Sequence, residues 1–219
     1  MRITRLILYS PGLAEMKSFY KNDLNCRISF EEKERFAVQL GATQVIFESD
    51  KNAQPYHFAI NIPSNQIEHA TEWLRNRCQI LPGPDGDIVD FSSWKAKSVY
   101  FYDCDYNIVE LIARERLETN TEPPFNSSYF LSISEIGMPV ENIEKTSRSL
   151  NAISEFPLFS GSFDTFCAIG NDEGLFIVID KNKKDWFPSH DPAHSSAFKI
   201  NGMNNGQPFQ FTFREGEVL

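Results

Sequence analysis

With 219 residues, 41% hydrophobic and 23% charged, the chain has the make-up of one large or two small folded domains rather than of a disordered segment. Its 21 Lys and Arg against 30 Asp and Glu give a net charge of −9, which excludes nucleic acid as the expected partner. No run of roughly 18 apolar residues reads as a membrane span, and MRITRLILYSPG is too short an apolar start for a secretory leader. The expectation is a cytoplasmic protein with no membrane partner.

Residues 3–10 read as a strand, closed by Pro11-Gly12. Leu13, Met16, Tyr20 and Leu24 then fall at helical spacing, which predicts an amphipathic helix over 13–24. Three short strands follow, around 27–30, 36–40 and 44–48, so the unit is β-α-β-β-β. The same order recurs with a strand at 57–62 stopped by Pro63, a helix face of Ile67, Ala70, Leu74 and Cys78, and later strands at 99–102 and 108–113. Arg5 and His57, and likewise Cys26 and Cys78, are 52 positions apart. Two anchors with one offset indicate an internal duplication.

Residues 114–128, rich in Thr, Asn and Pro, read as a linker. A third copy follows, with a first strand at 133–138, a helix face of Val140, Ile143 and Leu150, and a last strand at 175–180. Glu135 takes the place of Arg5 and His57. In both the first and third copies 42 positions separate this residue from its last-strand counterpart, Phe47 and Ile177 respectively. The second copy is longer, 53 positions from His57 to Glu110, with the surplus in residues 82–97. A truncated fourth copy leaves strands at 197–202 and 208–213. Repeats this short cannot bury a sheet face singly, so they must pair.

Along 57–62, Phe58, Ile60 and Ile62 point one way and His57, Ala59 and Asn61 the other. Glu110 shares a face with Ile108 and Ile112. An imidazole and a carboxylate on facing strand positions suit Fe, Mn, Ni or Zn, or else form a hydrogen-bonded pair in a polar cleft. The four cysteines form no C-x-x-C pair and read as buried free thiols, while 19 Phe predict an aromatic interior or an apolar cleft. Residues 85–97, with Phe91 and Trp94, read either as a lid or as a surface insertion, and Trp186-Phe187-Pro188 as an anchor for the tail.

The tandem unit resembles the vicinal-oxygen-chelate superfamily of glyoxalases, bleomycin-resistance proteins and ring-cleaving dioxygenases. The residues that carry the resemblance are Tyr56-His57-Phe58-Ala59-Ile60-Asn61-Ile62, Ser98-Val99-Tyr100-Phe101-Tyr102-Asp103 and Ile108-Val109-Glu110-Leu111-Ile112, and it extends over 1–113 and 129–180. It implies an α+β fold of tandem βαβββ units, with cupped mixed sheets and helices on the outer face. It also implies a divalent metal held by His57 and Glu110 on the concave side, with Tyr100 a catalytic candidate and Arg5, Phe47 and Asn61 placed to contact substrate. Two departures stand out: Arg5 occupies the place of a ligand His, and Phe47 that of a carboxylate. The ring-cleaving pattern also lacks its His among Phe91, Ser92, Ser93 and Trp94.

The third ligand is expected from Glu48, Glu135 or a partner subunit. Two functions follow: a metal-dependent, glyoxalase- or dioxygenase-like enzyme on a small oxygen-rich or aromatic substrate, or a metal-free small-molecule binder of the bleomycin-resistance type. The expected organisation pairs the first two units as one domain over 1–113, with 114–128 as linker and 129–219 as a second half. Sheet edges left by the truncated copy predict a homodimer. Arg5 is expected on the cup face, paired with Glu110.

Overall fold

The computed structural model describes residues 1–219. The first copy comprises β1 (Arg2–Ser10), α1 (Leu13–Ser18), β2 (Arg27–Glu32), β3 (Arg35–Leu40) and β4 (Thr43–Ser49). The second comprises β5 (His57–Ile62), α2 (Ile67–Arg75), β6 (Ile80–Leu81), β7 (Ile88–Phe91), β8 (Ala96–Tyr102) and β9 (Ile108–Arg114). The third comprises β10 (Ser132–Val140), α3 (Ile143–Ile153), β11 (Leu158–Gly161), β12 (Phe166–Asn171) and β13 (Gly174–Asp180). The remnant of the fourth supplies β14 (Phe198–Asn204), β15 (Gln207–Arg214) and β16 (Glu217–Val218).

The apolar spacing read from the sequence accounts for the helices. Met16, Tyr20 and Leu24 are fully buried, although α1 ends at Ser18 and the run continues as a wide π turn over Phe19–Asp23. In α2 the buried face is Ile67, Ala70, Thr71 and Leu74, and Cys78 lies beyond the helix end. Asn142 caps α3 by accepting a hydrogen bond from the Lys145 amide at 2.9 Å, and Val140 belongs to β10 rather than to the helix. No cysteine is bonded to another; Cys26 and Cys167 are buried as expected, but Cys104 is exposed. No helix is long and apolar enough to cross a membrane.

The units pair differently from the expectation. One mixed sheet runs β16-β15-β14-β1-β4-β3-β2, joining the first copy to the fourth. The other runs β11-β12-β13-β10-β5-β9-β8-β6, with β7 also on β8, joining the second to the third. Each seam is an antiparallel pair of first strands, β1 with β14 and β5 with β10. The fourth copy keeps a first strand, so it completes the first unit and leaves the second to pair with its neighbour in sequence. Residues 1–113 therefore contribute to both sheets. A single apolar core joins the buried faces of both sheets, from Leu6 and Phe47 to Phe58, Ile136 and Phe176. Thr43 ties the sheets together: its hydroxyl donates to the Ile3 carbonyl at 2.6 Å and accepts from the Ile133 amide at 3.0 Å.

Candidate metal centre

Strand register builds the floor of a cavity on the open face of the second sheet. Ala59 on β5 lies beside Glu110 on β9 and, on its other side, beside Glu135 on β10. Because a methyl group stands in the middle of that row, the two carboxylates can approach each other over it. His57 lies two residues along β5, on the same face. A bulge between Ile133 and Glu135 on β10 is decisive. Without it Ser134 would face the cavity and Glu135 the core, because a one-residue slip reverses every side chain.

The donor atoms of His57, Glu110 and Glu135 lie within 4.8 Å of one another, and all three residues are buried. His57 Nδ1 is 3.2 Å from the Ile108 carbonyl oxygen. A carbonyl can only accept, so Nδ1 carries the proton and Nε2 turns a lone pair toward Glu110 Oε2, 3.7 Å away. The Ser98 hydroxyl donates to Glu110 Oε1 at 2.5 Å, leaving Oε2 for the cavity. Donors bound to one ion at about 2.1 Å stand at most about 4.2 Å apart, so the three reach a common ion by closing less than an ångström.

Burial sets the charge states. It holds the His57 imidazole down to about 4, so the ring is neutral at pH 7. Burial first, and the Glu135 charge second, push the Glu110 carboxyl up to about 8. Burial raises Glu135 as well, while the guanidinium of Arg114 opposes that rise. Arg114, fully buried at the end of β9, donates through Nη2 to Glu135 Oε1. Its Nε donates to Asn61 Oδ1 at 3.2 Å and its Nη1 to Asp172 Oδ1 at 3.5 Å.

Aromatic rings close the cup, whose cavity measures about 340 Å³. The Trp186 ring lies 4.9 Å from that of His57, and Phe187 meets Tyr100 edge-on at 5.6 Å. Gly137 makes the first contact possible, since a Cβ there would stand 2.6 Å from the Trp186 ring. Phe91 and Trp94 form another wall. The insertion is thus joined to the sheet through β7, which pairs with β8.

The structure brings His57, Glu110 and Tyr100 together at this cavity. Asn61 lies on the same strand face but holds Arg114 and, through Nδ2, the Asp172 carbonyl at 2.9 Å. Phe47 is buried in the first sheet's core, stacked on Phe36 with centroids 5.2 Å apart. The residue of β4 that register matches to Glu110 is Ile46, opposite Ile7, so the 42-residue match was one position out and Phe47 faces the core. Arg5 is exposed on the first sheet, between Gln44 and Asn201, and cannot pair with Glu110. Glu48 lies there too, 4.0 Å from Arg35. The arginine that holds a floor carboxylate is Arg114, buried behind Glu135 and, as the first residue of the expected linker, outside the expected unit.

The chain has the vicinal-oxygen-chelate fold, shown by its likeness to solved structures. A putative dioxygenase from Bacillus subtilis superposes with a TM-score of 0.60 at 15% identity, over 82% of this chain and 63% of that one. A mutant glyoxalase I from Zea mays gives 0.55 at 12% identity, over 81% and 66%. The chain thus spans just under two thirds of the length of either protein. No family profile and no curated protein matches its sequence.

Proposed function

We propose that the second sheet's cavity is the divalent-metal site of an enzyme acting on a small oxygen-bearing or aromatic substrate, glyoxalase-like or dioxygenase-like. The observation that carries this reading is the meeting of His57, Glu110 and Glu135 within 4.8 Å on three adjoining strands. One imidazole and two carboxylates suit Mn, Fe, Ni or Zn. Bound there, such an ion supplies Lewis-acid polarisation of substrate oxygens.

The chain's own residues do the remaining work. Ile108 fixes the His57 tautomer and Ser98 fixes the orientation of Glu110. Trp186 and Phe187 exclude water from the floor and Tyr100 presents its ring at the wall. Arg114 balances the charge of Glu135 and, with Asn61 and Asp172, holds it in place.

A second reading, a metal-free small-molecule binder, is favoured by one specific observation: Arg114 already occupies one oxygen of Glu135. Calorimetric titration of Mn, Ni and Zn onto the wild type, Glu135→Gln and His57→Gln separates the two. The enzyme reading expects one site per chain, weakened at least tenfold in either variant. Absence of any titratable site in the wild type supports the binder. The exposed edge strand β2 fits the proposed homodimer, and a monomeric mass by light scattering at micromolar concentration would count against it.

A further inference from the structure

The rim of the cavity carries information about the ligand that its floor does not. His57, Glu110 and Glu135 line the floor, whereas Lys184 is an exposed residue lining the same cavity from the turn after β13. Its Nζ sits 5.1 Å from the centroid of the Phe166 ring, a cavity wall. Two neighbouring lysines are committed elsewhere. Lys181 pairs with Glu141 at 3.3 Å, and Lys183 with Asp164 at 3.0 Å and Asp180 at 3.4 Å. Lys184 makes no ion pair. It is the one lysine or arginine among the residues that line the cavity, opposite two carboxyl groups at the floor.

Around it the walls are flat and apolar. The Trp94 and Phe166 rings lie 6.2 Å apart and inclined at 33°, and Trp186, on the strap between β13 and β14, lines the same cavity. A planar ring fits these surfaces, and a few hundred cubic ångströms is the size of a small-ligand pocket.

We propose that Lys184 makes the cup selective for anionic ligands: a planar apolar body lies among Trp94, Phe166 and Trp186, with its acid group held outward at Lys184. The floor offers no free cation to an acid group, since the Arg114 guanidinium is already held by Glu135 and Asp172. The inference rests on the reading of this cavity as a small-molecule site, but not on the presence of a metal.

The test compares naphthoate with its neutral isostere naphthalenemethanol by calorimetry on the metal-free chain. Naphthoate is expected to bind about fivefold more tightly, as an ion pair at a partly exposed site supplies about 1 kcal/mol, and added salt should narrow the gap. Lys184→Met should abolish the preference by weakening naphthoate more than the alcohol, and Lys184→Arg should retain it. Equal affinity of the two probes for the wild type, or a preference that survives Lys184→Met, overturns the role of Lys184 and leaves the cavity reading intact. Failure of both probes to bind overturns the proposal together with the reading of the cavity as a ligand site. The metal reading is scored separately by the Mn, Ni and Zn titrations.

Discussion

The two sheets are built from the same repeat and differ in what their open faces carry. Where the second sheet has His57, Glu110 and Glu135, register places Arg5, Ile46 and Lys199 on the first. Two cations and an isoleucine offer no ligand to a metal ion, and Arg5 and Lys199 stand in solvent. The second sheet also carries a cover, the Trp186 strap, admitted by Gly137. A cupped sheet is therefore only a scaffold; the donor triad and its aromatic cover make the cavity.

Arg114 distinguishes the faces most sharply. Arg114→Met leaves Glu135 buried without its counter-charge and should cost about 3–5 kcal/mol in denaturant unfolding. Adding Glu135→Gln should restore part of that loss. On the first sheet, Arg5→Met, at the place register gives to His57, should stay within about 0.5 kcal/mol, since Arg5 is exposed. A small effect for Arg114→Met would mean that its ion pair does not organise the floor.

Gly137→Ala sharpens the role of the cover. The new Cβ displaces the Trp186 ring from His57, with an expected cost of about 1–3 kcal/mol and greater quenching of tryptophan fluorescence by acrylamide. Unchanged quenching would show that the strap is not seated by this contact.

The charge states predict how metal binding depends on pH. With the Glu110 carboxyl at about 8, an ion binding below that pH displaces a proton, whereas His57, at about 4, is already neutral. The apparent Kd should fall about tenfold per pH unit between pH 6 and 7.5, then level off above 8. Glu110→Gln should flatten the profile while weakening binding. A flat profile in the wild type would place Glu110 outside the ion's ligands. Arg5→His should leave metal affinity unchanged, the smallest effect in the set; a gain would bring Arg5 to the site.

Much of this contrast was legible in the sequence. The offset shared by Arg5 with His57 and by Cys26 with Cys78 revealed the repeat, and alternation along β5 separated His57, Ala59 and Asn61 from the core. Equivalence with His57 put Glu135 among the possible third ligands. The pairing of units was not legible, because every first strand offers a similar apolar back and the choice is made by long-range contacts. Arg114 was hidden by its place between a strand and a polar segment. Trp186 and Phe187 read as an anchor because nothing local tells an anchor from a cover. The match of Phe47 failed by one residue, which in a strand is the difference between cavity and core.

Anomalous diffraction from crystals soaked in manganese chloride tests the account most directly. It predicts one strong peak per chain, within bonding distance of His57 Nε2 and of carboxylate oxygens from Glu110 and Glu135, and none beside Arg5 and Lys199 on the first sheet. A cavity with no peak at full soaking, or a peak that leaves Glu135 on Arg114 and uses other ligands, would contradict it.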